Sequence, residues 1–409
     1  SVSFYKLHNH MMVTVSQAER IVLEHALPLQ IEQIPLHHAL ARVLAEDLHA
    51  DRDFPPFDRV TMDGIAIHFA NFASGQRQFL IEAVQAAGSA QLTLQRQNNC
   101  IEVMTGAPLP QGTDTVIRYE DLDIESGMAQ IRISEIAQRQ NIHAQAIDRR
   151  KGDLIISAGR KIGSAEMATA ATLGKATLAV AKLPRTAIIS TGDELVEIHE
   201  TPLPHQIRRS NVYAIQAALG EWKIEAEAFH FYDDEQAIRQ GVAEILLRFE
   251  LVILSGAVSE GKFDFVPKAL AAAGVTPIFH KVSQRPGKPF WFGTYADKAV
   301  LFALPGNPVS AFVGTYRYIL PWLRQSLGLK NWPQSTAVLS RDFIFKPDLT
   351  YFVPVILDNS TDGLLRATPL EGHGSGDLAN LNDADGFLEL PKERTHFAVG
   401  EAFPLFRYR

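Results

Sequence analysis

Hydroxyls, glycine and carboxylates gather at three places along the chain, each directly after a short apolar run. Ser190-Thr191-Gly192-Asp193-Glu194 follows Ile188-Ile189, and Ser255-Gly256-Ala257-Val258-Ser259-Glu260-Gly261-Lys262-Phe263-Asp264 follows Leu251-Val252-Ile253-Leu254. Pro305-Gly306-Asn307-Pro308-Val309-Ser310 follows Val300-Leu301-Phe302-Ala303-Leu304. Small hydroxyls, loop amides and helix N-termini suit phosphate or another oxyanion. Adjacent Asp193 and Glu194 can hold a divalent cation through oxygen, or take a proton. A fourth segment, Gln284-Arg285-Pro286-Gly287-Lys288-Pro289, adds two cations; Arg suits bidentate phosphate contact and Lys acts as a point charge. Each has an ordinary alternative: helix capping by Thr191 or Asp193, a solvated basic turn at 285–288, and plain capping at 305–310. The 255–264 loop lacks the G-x-x-x-x-G-K-[ST] spacing and is not a Walker-type loop.

Two further polar segments lie earlier. Phe54-Pro55-Pro56-Phe57-Asp58-Arg59-Val60-Thr61-Met62-Asp63-Gly64-Ile65-Ala66 has two prolines that stiffen a loop and a Gly64 that permits positive φ. Asp63 there is a candidate metal or substrate ligand, against the reading of an Asp-Gly turn. In Met104-Thr105-Gly106-Ala107-Pro108-Leu109-Pro110, Thr105 and the Gly106 amide suit a polar ligand, against a Pro-stiffened turn. The His37-His38 pair and His8 and His10 have no H-E-x-x-H spacing and read as surface or core residues. No G-x-S-x-G elbow or cysteine-nucleophile motif is present.

These residues need a scaffold. Short runs rich in β-branched and large aliphatic residues are expected for strands buried on both faces. From Arg185 to about Leu329 strands and helices alternate. Strands are expected at Ala187–Thr191, Ala226–Phe231, Leu251–Ser255, Pro277–Val282 and Ala299–Leu304, and helices at Asn211–Leu219, Glu235–Leu247, Asp264–Ala273 and Val309–Leu327. This is the doubly wound α/β pattern, whose ligands bind at the carboxyl edge of the sheet. Helical spacing also marks Val15–His25, with Ser16 as N-cap, then Leu36–Leu44 and Ser164–Leu173. Between them, Asp51 to Ile147 alternates in short runs separated by Gly and Asp turns, and Ala337 to Tyr408 does so again after a Trp332-Pro333-Gln334 linker. The expected division is a discontinuous helical linker domain at 11–50 and 148–183, an inserted β domain at 51–147, an α/β domain at 184–330 and a C-terminal β domain at 333–409.

Composition narrows the function. At 409 residues the chain needs about two to four domains. A hydrophobic fraction of 46%, a charged fraction of 21% and a net charge of −7 fit a globular protein and argue against a general nucleic-acid binder. The single cysteine, Cys100, excludes an intramolecular disulfide and a Cys-based zinc site, and fits a reducing cytoplasm. No window approaches the roughly 18 to 20 apolar residues of a membrane span, and no secretory leader is apparent.

Taken in order, these motifs resemble the molybdopterin molybdenumtransferase family, the bacterial MoeA and gephyrin E-domain proteins. The likeness runs over nearly the whole chain from about Val13. It rests on the Pro-Phe…Thr-Met-Asp-Gly-x-Ala segment at 56–66, Met-Thr-Gly-Ala-Pro-Leu-Pro at 104–110 and Ser-Thr-Gly-Asp-Glu-Leu at 190–195. It continues through Ser-Gly-x-Val-Ser-x-Gly-x-x-Asp at 255–264, Pro-Gly-Lys-Pro at 286–289 and Leu-Pro-Gly-Asn-Pro-Val-Ser at 304–310, with a weaker echo in His373-Gly374-Ser375-Gly376 through Gly386. The resemblance implies a multidomain α/β plus β chain: a central doubly wound molybdopterin-binding (MogA-like) domain, a small inserted β domain, a helical linker domain and a C-terminal β domain. It implies a homodimer, working with other molybdenum-cofactor proteins and with neither nucleic acid nor membrane. The implied reaction inserts molybdate into the dithiolene of adenylylated molybdopterin and releases AMP, assisted by Mg²⁺ or a similar divalent cation. Carried over by motif, Asp63, Glu194, Asp234 and Asp264 are the catalytic acids, with Asp63, Glu194 and Asp264 holding the metal. Thr105, Ser190, Thr191, Gly192, Ser255, Gly256, Ser259, Arg285, Pro286, Gly287, Lys288, Pro305, Gly306, Asn307 and Ser310 hold the pterin nucleotide and oxyanion. The cleft is expected between the α/β domain of one subunit and the β domain carrying Asp63, its own or that of a partner subunit.

The chain also departs from the pattern. Ala257, Glu260 and Lys262 stand in the second loop, Arg208-Arg209 where the family has Tyr-Asp, Ala146-Ile147-Asp148 in place of Gly-Glu-Asp, and Gln284-Arg285 where Met-Lys or Ile-Lys is usual. These departures keep two alternatives to the transferase in view: a non-catalytic pterin-binding or scaffold protein of the same fold, and a related enzyme using tungstate.

Overall fold

The structure, a computed structural model, describes residues 12–232, 234–256, 266–359, 361–370 and 380–409. The chain forms two compact units. One comprises residues 1–46, 158–168 and 176–409; the other comprises 47–157 and 169–175.

The larger unit is built on a seven-stranded sheet. Its strands are β1 (Met12–Val13), β2 (Thr186–Thr191), β3 (Ala226–Phe231), β4 (Leu251–Ser255), β5 (Thr276–Val282), β6 (Pro289–Tyr295) and β7 (Ala299–Leu304), in the spatial order β1-β5-β6-β7-β4-β2-β3. Strands β7, β4, β2 and β3 run parallel, and every residue of β2, β4 and β7 is buried. Period-2 alternation divides these strands between two cores. Ile188, Ile253 and Phe302 pack with Val212, Ile215 and Leu219 of the Asn211–Gly220 helix. Ala187, Ile189, Leu254 and Leu301 pack with Ile238, Val242 and Ile245 of the Glu235–Arg248 helix. Helices thus cover both faces, as the alternation predicts.

Four local expectations change. Residues 289–295, which lie between two expected strands and belong to no expected element, form β6, antiparallel to both β5 and β7; the Pro-Gly-Lys turn reverses the chain between β5 and β6. The expected Val309–Leu327 helix is three pieces: Pro308–Gly314, a π segment at Thr315–Ile319, and Leu320–Ser326. The wider π turn lies just before Pro321, which has no N–H and crowds the carbonyl four residues back. The first helix is capped by Thr14, not Ser16. The Thr14 hydroxyl accepts from the Gln17 amide at 3.2 Å, while the Gln17 side chain accepts from the Thr14 amide at 2.9 Å, a reciprocal capping box. The Leu36–Leu44 helix shrinks to a 3₁₀ turn at Leu36–His38, beside an antiparallel ladder of Ile31–Pro35 with Thr177–Ala181.

At the C-terminus, strands Thr350–Asn359, Leu365–Pro369, Thr336–Leu339, Ala402–Arg407 and Gly386–Leu390 pair in a closed ring, a small barrel filled by Ala337, Leu339, Val353, Val355, Leu388 and Leu405. Gln284–Arg285 adds to the ring by pairing in parallel with Thr350–Tyr351. The smaller unit carries a six-stranded sheet in the order Thr115–Arg118, Gly64–Ile67, Cys100–Val103, Gln78–Gln85, Met128–Ile131, Leu122–Glu125. Among the described residues no helix is long and apolar enough to cross a membrane.

Candidate functional site

Strands β2, β4 and β7 are neighbours, so their carboxyl ends lie side by side and the loops that follow them meet. At Gly256 the meeting is close enough to require glycine. Gly256 has φ +95°, and a methyl group there would lie 2.9 Å from the Thr191 carbonyl oxygen. A methyl group on Gly306 would lie 3.4 Å from the Gly256 Cα. Gly192, at φ +131°, holds a backbone conformation that L side chains rarely adopt, with the Glu194 carboxylate lying against it. Side chains bind the loops together as well: the Asn211 amide donates to Ser255 Oγ at 2.8 Å and to the Gly306 carbonyl at 3.0 Å. Asn211 was not among the expected site residues. Its signal was its place at the head of a helix beside the carboxyl edge, which composition and spacing do not single out.

The basic turn joins this group. Gly287, at φ +82°, faces Ser310, whose Cβ would lie 3.6 Å from a methyl group placed on it. Pro286 and Gly287 are buried while Arg285 and Lys288 are exposed, so the turn is anchored by its centre and presents a cation on each side. Asn307 stands at the N-cap of Pro308–Gly314, with Pro at the first turn, but its side chain makes no capping bond there. Plain capping by Asn307 therefore does not explain the segment. Pro305 is half-buried and Ser310 is buried under the turn.

Not every expected ligand is open. Ser190 is 2% exposed; its hydroxyl donates to the Phe229 carbonyl at 3.2 Å and accepts from Arg209 at 3.2 Å. Ser190 thus supports the loop from within the sheet. Arg209, one of the departures, is held by Glu197, so the reversed charge is neutralised internally. His230 shares this network through Nδ1, and burial, followed by the charge of Arg209, lowers its pKa. Thr191 is buried, and Asp193 and Glu194 are exposed. Asp234 caps the Glu235–Arg248 helix, accepting from the Ala237 amide at 2.6 Å. Ser259 and Asp264, with Ala257, Glu260 and Lys262, lie outside the described residues, as does the 373–376 segment.

The smaller unit holds the other expected pair. Asp63 Oδ1 accepts from the Thr105 amide at 2.6 Å and from the Thr105 hydroxyl at 2.8 Å. These bonds, the backbone one first, hold the exposed Asp63 carboxyl below its ordinary pKa. The two loops are laced by Gly106 N to Val60 O at 2.8 Å, Val60 N to Ala107 O at 2.9 Å and Leu109 N to Asp58 O at 2.8 Å. Gly64 is needed for a different reason from the one its sequence suggests. Its φ is not positive, but any Cβ would overlap the Ile117 carbonyl of the neighbouring strand. The metal trio is incomplete here because Asp264 is outside the described residues; among the described residues no three His, Cys, Asp or Glu side chains gather as a metal site.

Known proteins match this architecture throughout. Residues 13–174 match the MoeA N-terminal region (domain I and II), 187–325 a probable molybdopterin binding domain, and 336–406 the MoeA C-terminal region (domain IV). The molybdopterin molybdenumtransferase of Synechocystis sp. is 39% identical over 402 residues, covering 97% of this chain and 100% of the relative. That of Bacillus subtilis is 30% identical over 400 residues, covering 94% and 91%. A crystal structure of the molybdopterin biosynthesis MoeA protein from Pyrococcus horikoshii superposes with a TM-score of 0.83 at 25% identity, over 97% of this chain and 100% of that one. With three family regions matched in order and a relative 39% identical over 97% of its length, the chain belongs to the molybdopterin molybdenumtransferase (MoeA) family of molybdenum cofactor biosynthesis.

Proposed function

We propose that this chain inserts molybdate into adenylylated molybdopterin and releases AMP. The observation that carries the reading is the convergence of the Thr191–Glu194, Ser255–Gly256, Pro305–Ser310 and Pro286–Lys288 segments on one sheet edge, held by Asn211 and by glycine contacts. Loop amides there suit the pyrophosphate of the pterin nucleotide. Arg285 and Lys288, exposed on either side of a buried turn, suit the incoming oxyanion. Fixed donors of this kind stabilise charge that develops as the phosphate bond breaks.

The carboxylates assigned to a divalent cation fit one chemically. Asp63 is held ionised by Thr105 with its second oxygen uninvolved in that pair, and Glu194 is exposed; both are hard oxygen donors of the sort Mg²⁺ takes. Bound, the ion would supply Lewis-acid neutralisation of the pyrophosphate. Thr105 orients Asp63, and the glycine packing fixes the loop beneath Glu194. The reading brings with it a homodimer and a cytoplasmic setting, and light scattering at micromolar concentration checks the dimer.

The test is AMP release from adenylylated molybdopterin with Mg²⁺, with and without molybdate. Molybdate-dependent release supports the reading. A folded protein that binds the pterin nucleotide but releases no AMP with molybdate refutes it, and release with tungstate alone would reassign the oxyanion.

A further inference from the structure

The Gln284–Lys288 turn is held from beneath by a buried polar pair. Gln284 and Tyr318 are each 1% exposed. The Tyr318 hydroxyl donates to Gln284 Oε1 at 2.5 Å, and Gln284 Nε2 donates to the carbonyls of Pro286 at 3.1 Å and Gly287 at 3.3 Å. Tyr318 lies in the π segment and stacks on Phe290 of β6 with ring centroids 4.7 Å apart. Its surroundings are therefore rigid. Burial pushes its phenol pKa far up, which keeps it a neutral donor. Gln284 occupies a position where the family resemblance leads one to expect an apolar residue.

A buried amide costs stability unless its hydrogen bonds are made. Here the carbonyl side is satisfied by Tyr318 and the amino side grips the two carbonyls that define the turn. An apolar side chain at 284 would fill the space without fixing those carbonyls. From this geometry we infer that Gln284 and Tyr318 are positioning residues: they tether the Pro286-Gly287 backbone and thereby set where Arg285 and Lys288 meet the oxyanion. The inference rests on the reading of the turn as the anion-holding segment.

The experiment uses three variants of the full-length protein: Gln284→Met, Tyr318→Phe and the double variant. Tyr318→Phe leaves a buried acceptor unpaired, whereas the double variant removes both polar partners and is expected to regain stability. Each variant is measured by urea unfolding and by kcat and KM for molybdate in AMP release. Tethering predicts that Gln284→Met and the double variant raise KM for molybdate by roughly tenfold, with kcat changed less than about threefold. It also predicts that KM stays raised in the double variant although stability recovers. A KM that returns to the wild-type value together with stability would overturn the inference and leave a purely structural pair.

Hydrogen exchange of the Gly287 and Lys288 amides gives a reading without substrate. Exchange that quickens in Gln284→Met supports the tether even if wild type releases no AMP, an outcome that sinks the proposed reaction and not the tether. Unchanged exchange overturns the tether itself.

Discussion

The Asp63 carboxylate accepts both the amide and the hydroxyl of Thr105, residues 42 positions apart, through a single oxygen. The pair fixes the side chain in one orientation and favours its charged form. Replacing Thr105 by Val removes the hydroxyl bond and leaves the stronger backbone bond. The Asp63 pKa is then expected to rise part of the way to its ordinary value. A depressed carboxyl pKa supports the folded state above the unfolded pKa and loses that support as pH falls through the folded pKa. Carboxyl NMR titration should therefore show Asp63 charged at lower pH in wild type than in Thr105→Val. Turnover is expected to fall by about tenfold in Thr105→Val and by about a hundredfold or more in Asp63→Ala and Glu194→Ala, with folding still cooperative. Normal turnover in Asp63→Ala and Glu194→Ala would remove their assigned roles.

The glycine contacts predict an asymmetry between two alanine substitutions. At Gly256 the methyl group meets the Thr191 carbonyl at 2.9 Å and the backbone has φ +95°; the loss is expected to be about 1–3 kcal/mol. At Gly306 the methyl group would meet Gly256 Cα at 3.4 Å with no positive φ, and the loss is expected below about 1 kcal/mol. Urea midpoints compare the two directly. Equal losses would mean that the loops move apart more easily than their packing indicates.

Much of this arrangement was legible in sequence. The apolar runs of β2, β4 and β7 announced buried parallel strands because both faces are covered, and the Gly and hydroxyl residues after each marked the edge where their loops meet. What sequence could not show was which polar atoms the fold uses internally. Ser190 and Asp234 have the right chemistry for ligands, yet one is bonded within the sheet and the other caps a helix. Asn211 bonds to residues at least 44 positions away, and Gln284, which grips the turn beside it, is itself held by Tyr318, 34 positions on; no local spacing encodes either contact. β6 was hidden because Pro-Gly-Lys-Pro reads as a loop until its hairpin with β5 is seen.

Asn211 offers a separate test of the loop assembly. Its two bonds reach the ends of β4 and β7 at once. Asn211→Ala is expected to cost about 1–2 kcal/mol, the scale of losing two hydrogen bonds, one partly buried and one exposed, and to raise KM for the pterin nucleotide more than KM for molybdate. Steady-state kinetics with each substrate varied separately decides this. Equal effects on both would place the defect in general folding.

Arg317 carries the last prediction. Its side chain is 5% exposed; Nε donates to Glu389 at 2.8 Å and Nη2 to Glu19 at 2.9 Å, joining the π segment to the C-terminal barrel and the first helix. Burial raises the Glu389 pKa above its ordinary value against the downward pull of Arg317. Removing the cation strands that carboxylate, so Arg317→Met is expected to cost about 3 kcal/mol or more at pH 7. The pH dependence has a definite sign. With its pKa raised further, Glu389 binds a proton more tightly in the folded chain than in the unfolded one, so stability rises as pH falls through the folded pKa. The deficit of Arg317→Met should therefore shrink on acidification toward the ordinary carboxyl range, and Arg317→Met combined with Glu389→Met should recover much of it at pH 7. Urea unfolding of wild type and both variants at neutral and mildly acidic pH measures this. A deficit that stays constant across that range would show that lost packing, and not an uncompensated carboxylate, is the cause.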